Sequence, residues 1–173
     1  MGVHFTVTVD HDIHDTRLDA VRGHFASLQP MFAQISARSP QESGEWRDVT
    51  EPGRSRPDHF YAPAGFSVLI GPAALRFHHG TRFSTFIDAV AERDSLREFS
   101  RLLTRIFGQH RVLYAPCQGI GDEIADWLTE GLSLTEMEAR LGSRSSPPAT
   151  IAELASRSLP ELRYYIDDFE TAG

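Results

Sequence analysis

The chain has 173 residues, 40% of them hydrophobic, and a formal net charge of −7, a size and composition that fit one globular domain spanning residues 1–173. All 17 basic residues are arginine, which excludes Schiff-base and phosphate-loop lysine chemistry, and one cysteine, Cys117, excludes an intramolecular disulfide and a cysteine-only metal cluster. Residues 1–115 balance to zero and the whole −7 falls in 116–173, which disfavours nucleic acid and anionic membrane as partners and favours a basic protein.

In residues 3–9, Val3, Phe5, Val7 and Val9 alternate with His4, Thr6 and Thr8, the period of a strand with one buried face. Leu18, Val21, Phe25, Leu28, Phe32 and Ile35 follow at spacings of three and four and predict an amphipathic helix over 16–37, kinked or cut short at Pro30. Residues 38–58 are poor in apolar side chains and read as a long loop, with Trp46 pinning it to the body. Phe66 to Ile70, the turn signal Gly71-Pro72 and a return strand over 73–77 predict a hairpin. Phe83, Phe86, Ile87 and Val90 mark a short helix, and Leu96, Phe99, Leu103 and Phe107 a stronger one that ends at Gly108. A strand over 110–115 comes next, then helices over 122–130, 133–141 and 151–155, and a last strand near 162–167.

Hairpins mixed with helices predict an α+β fold: a small, mostly antiparallel sheet of about 4–5 strands, covered on one face by amphipathic helices, with a helical, acidic C-terminal third over 116–173. No apolar run reaches the roughly 18 residues of a membrane span, and no secretory signal precedes the first strand, so a cytoplasmic location is expected.

Four constellations carry possible chemistry. Asp10-His11-Asp12-Ile13-His14-Asp15 follows the first strand; its imidazoles and carboxylates suit zinc or another divalent cation, with His79 as a distant ligand. The same residue types also make turns and helix caps. His78 and His79 are neighbours on one strand, so only one of them can join a given site. Cys117, placed between a strand and a helix, reads as a small loop residue, although a histidine could activate its thiol.

His4-Phe-Thr6 and His79-Gly-Thr81 resemble the paired His-x-Thr motifs of the 2H phosphoesterases. The resemblance implies His4 and His79 as general acid and base on a cyclic phosphate. His14-Asp-Thr16 matches the same three-letter pattern, and Gly80 and Arg82 stand where that family has apolar residues.

The leading expectation is a non-catalytic protein of the inhibitor or immunity type, which needs no cofactor. It would meet a basic protein through Asp122, Asp126 and Glu130, four residues apart on one helix, and through Asp167 and Asp168. The alternative is a metal- or histidine-dependent hydrolase built on His11, His14 and His79.

Overall fold

The computed structural model describes residues 3–38, 44–53 and 57–169. Its centre is a seven-stranded sheet. In chain order the strands are β1 (His4–Asp10), β2 (Arg47–Asp48), β3 (Asp58–Tyr61), β4 (Phe66–Ile70), β5 (Ala74–Arg82), β6 (Arg111–Pro116) and β7 (Tyr165–Asp168). They lie side by side as β2-β3-β4-β5-β1-β6-β7, and every neighbouring pair is antiparallel. The helices are α1 (Leu18–His24), α2 (Gln29–Arg38), α3 (Phe83–Asp88), α4 (Val90–Ile106), α5 (Ile120–Glu130), α6 (Leu134–Gly142) and α7 (Ile151–Ser156). The fold is α+β, as the sequence predicts, with more strands than expected. Among the described residues, no helix is long and apolar enough to cross a membrane.

Of the two additional strands, β2 falls inside the segment read as a loop and β3 begins at its last residue, Asp58. Part of that segment, 39–43 and 54–56, lies outside the described residues. β2 is only two residues long and β3 opens on Asp58-His59, so neither presents an apolar alternation. What makes them strands is tertiary: Phe60 is fully buried, and the backbone of His59 is tied to Val49 N–H and to the Thr50 hydroxyl. Trp46 does pin this region, stacking on Phe25 with ring centroids 5.6 Å apart and meeting Phe32 edge-on.

The long helix predicted over 16–37 is broken into α1, a 3-10 turn over Ala26–Leu28, and α2. Pro30 does not kink a helix; it sits in the first turn of α2, where its missing N–H has no intrahelical acceptor to lose. All the apolar positions that predicted the helix still point inward, because the break preserves their common face.

Helices cover both faces of the sheet, not one. Along β1, Phe5, Val7 and Val9 join a core with Phe25, Phe32, Phe99 and Leu103, under α1, α2 and α4. The alternate β1 residues, Thr6 and Thr8, are just as completely buried, and the neighbouring Leu113 and Ala115 of β6 pack with Ile124, Trp127 and Leu128 of α5 and Met137 of α6. Small side chains let α5 come very close. A Cβ on Gly121 would stand 1.9 Å from the Pro116 carbonyl oxygen, and one on Gly71 would stand 2.4 Å from the Leu128 carbonyl oxygen. Only glycine fits at those two contacts, and they seat α5 against the ends of β6 and β4.

Candidate metal centre

On the α5 side of the sheet, three distant pieces of chain converge. His4 starts β1, His78 lies on β5, and Cys117 follows the last residue of β6. Antiparallel register sets Thr6 opposite His78, so His78 shares the face of Thr6 and His4. His4 Nδ1 and His78 Nε2 are 3.2 Å apart. The β1–β6 ladder runs one step past Pro116: Cys117 N–H donates to the His4 carbonyl at 2.8 Å, and His4 N–H donates to Cys117 Sγ at 3.2 Å. One ligand atom from each residue, two imidazole nitrogens and a sulfur, lies within 4.8 Å of the other two, and all three residues are part-exposed. A tetrahedral ion at ordinary Zn–N lengths holds two nitrogens about 3.3 Å apart, close to what the two imidazoles show.

The electrostatics around the cluster cut two ways. Burial, then the nearby His4 and the Arg76 guanidinium, pull His78 down to about 4, so its imidazole is neutral at physiological pH, the form a metal requires. Arg76, two residues before His78, is held by a 2.7 Å bond to the Gly121 carbonyl, and its Nε has no hydrogen-bond partner among the described residues. Burial pushes the Arg76 guanidinium below its ordinary value, while Cys117 and Asp122 pull it back up. This cation opposes a metal dication at the cluster.

The residues singled out in the sequence are placed as follows. His79 lies opposite Phe5 on the other face of the sheet from His4, so the two histidines of the 2H-like motif do not meet. Thr81 N–H donates to His79 Nδ1, which leaves Nε2 to donate to the Ala64 carbonyl at 2.9 Å. His79 thereby holds the β3–β4 turn, where Ala64 takes a left-handed φ of 61°. This is a structural role, and the resemblance does not extend to geometry.

The segment 10–15 gathers no three-ligand set among the described residues. Asp10 accepts from Leu134 N–H at 2.7 Å and so docks the start of α6. His11 uses both nitrogens internally, accepting from Ile13 N–H and donating to the Gly71 carbonyl. Asp12 and His14 are exposed.

Of the acidic candidates, Asp167 is buried, bound by both ends of the Arg97 fork and by the Tyr114 hydroxyl, so it cannot meet a partner. Asp168 pairs with His110, Glu130 with Arg140, and Asp122 caps Gly119 N–H. Asp126 is exposed on α5.

An α+β sheet protein carrying a two-histidine, one-cysteine cluster on one face is the class that fold and site define. Comparison of the chain with protein-family models, curated proteins and solved structures finds no match.

Proposed function

We propose that this chain is a metalloprotein of the zinc class, with His4 Nδ1, His78 Nε2 and Cys117 Sγ as protein ligands and hydrolysis as its chemistry. The supporting observation is the convergence of one ligand atom from each of the three residues within 4.8 Å, with His4 Nδ1 and His78 Nε2 3.2 Å apart, from residues 74 and 113 positions apart. Three protein ligands leave a fourth position for water, the arrangement of catalytic rather than structural zinc. A divalent ion there would supply a hydroxide nucleophile near neutral pH. This keeps the metal-dependent alternative drawn from the sequence but moves it from His11, His14 and His79 to a different triad.

Metal-depleted protein titrated with Co(II) tests the reading. Stoichiometric binding with a sulfur-to-metal charge-transfer band is expected, lost in Cys117→Ser and weakened in His78→Ala. His11→Ala and His14→Ala should leave it intact. Absence of the band, or a band indifferent to Cys117→Ser, refutes the centre.

A second reading, a non-catalytic protein that meets a basic partner through α5, is supported by the exposed position of Asp122, Asp126 and Glu130. A partner captured from the native cell whose association is unchanged by Asp126→Arg and Glu130→Arg would end it.

A further inference from the structure

At the end of the sheet where β1 begins and β5 and β6 finish lies a cleft of about 400 Å³, within the roughly 300–1,000 Å³ typical of small-molecule sites. It is distinct from the three-residue cluster but adjoins it: Pro116 and Gln118, which line it, flank Cys117, and Val3, also in its wall, precedes His4.

Its charge is unusual for this molecule. The chain has 24 acidic against 17 basic residues, and several arginines elsewhere are paired with carboxylates, among them Arg97 with Asp167, Arg101 with Glu98, Arg111 with Glu138 and Arg144 with Glu123, while Arg76, Arg93 and Arg157 are bound by backbone carbonyls. Arg82 and Arg163 both line the cleft, no Asp or Glu lines it, and neither arginine has a carboxylate partner among the described residues. Arg163 is steadied by the Phe83 ring, 5.9 Å from its guanidinium carbon. Its Nε is buried with no hydrogen-bond partner among the described residues. A guanidinium held in the cleft wall with no carboxylate beside it is suited to pair with an anion there.

We propose that this cleft binds a phosphate ester, with Arg82 and Arg163 as the charged donors and Ser84 and Gln118 as neutral ones. Two guanidiniums and two neutral side chains offer more donors than the two oxygens of a carboxylate can accept, whereas a terminal phosphate presents three oxygens and up to two charges. Val3, Phe83, Pro116 and Pro160 give the organic portion an apolar wall. The site needs no metal and stands whether or not His4, His78 and Cys117 hold one.

Calorimetric titration of metal-depleted protein with phenyl phosphate tests this, with benzoate as the carboxylate probe and sodium chloride matching ionic strength. Saturable 1:1 binding of phenyl phosphate, tighter than benzoate, is expected. Arg163→Gln and Arg82→Gln should each weaken it about tenfold, the loss of one charge-assisted interaction, while Arg47→Gln, on the edge strand β2, leaves it unchanged. Arg82 is exposed, so its variant keeps the test valid if Arg163→Gln unfolds. No binding above the chloride control, benzoate binding as tightly as phenyl phosphate, or affinity unmoved by Arg82→Gln would overturn the assignment.

Discussion

The two faces of the sheet are built by different rules. The face under α1, α2 and α4 is paved with bulk: Phe66 and Phe77 meet Phe25, Phe32 and Phe99 in a run of ring contacts, with Phe66 and Phe99 stacked at 4.4 Å, and Phe5 meets Phe86 and Tyr114. The face under α5 and α6 carries Thr6, Thr8, Ala74 and Ala115, and the helix reaches it through Gly121 and Gly71. Both faces remove apolar area from water, the first with large side chains on strands and helices alike, the second with the large side chains supplied mostly by the helices and the strands kept small enough for close backbone approach. The second arrangement leaves room for polar side chains on the strands, and there His4, Arg76 and His78 are found beside Cys117.

The largest expected effect belongs to the first face. Phe99 is fully buried and touches Phe32, Phe66 and Phe77. Phe99→Ala should cost about 3–5 kcal/mol, the loss for a large aromatic in a close-packed core, measured by urea denaturation. A loss below about 1 kcal/mol would mean that the aromatic face relaxes around the cavity, and the contrast between the faces would fail.

Gly121→Ala probes the second face by the opposite perturbation. The added methyl would meet a backbone oxygen at 1.9 Å, and backbone cannot move aside as a flexible side chain can. α5 must shift, at a cost of about 1–3 kcal/mol for overpacking. Pro116 directly precedes Cys117, so the same variant should also weaken cobalt binding at a centre whose ligands it leaves untouched. Unchanged stability would show that α5 rides loosely on the sheet.

The strand alternation holds more of the site than the motif spacing does. The pattern in residues 3–9 already separates Phe5 from His4 and Thr6. Carried along β5, the same parity groups Leu75, Phe77 and His79 on the aromatic face and leaves Arg76 and His78 on the other. That rule alone rejects His79 as a partner for His4 and selects His78, once β1 and β5 are known to be neighbours. The neighbour relation is what a single sequence withholds: β5 follows β1 by more than sixty residues, and nothing local specifies that pairing. The core helices were legible because their periodicity is local. β2 and β3 were not, since two polar residues and an Asp-His start become strand only when Phe60 is buried. Thr6 and Thr8 misled in the same way. Their alternation marks a polar face correctly, but polarity did not mean solvent, because α5 and α6 cover it.

Thr8 offers the smallest effect and the finest test of that distinction. Thr6 Oγ1 donates to the Ala115 carbonyl at 2.8 Å, so its hydroxyl is matched. Thr8 Oγ1 is buried with no hydrogen-bond partner among the described residues. Burying an unmatched hydroxyl costs about 1–3 kcal/mol on mutational scales, and valine has nearly the same shape and the same β-branching. Thr8→Val should therefore be neutral or stabilise the protein by up to about 1 kcal/mol, while Thr6→Val, which removes the hydroxyl donor and leaves the Ala115 oxygen without that bond, should destabilise it by about 1 kcal/mol. Parallel urea denaturation of the two variants gives the comparison directly. If both lose stability equally, the hydroxyls of the second face act as a matched pair and Thr8 has a partner in solution. If Thr8→Val gains and Thr6→Val loses, the second face tolerates polarity only where an acceptor waits for it, and its closeness to α5 rests on residue size rather than on hydrogen bonding.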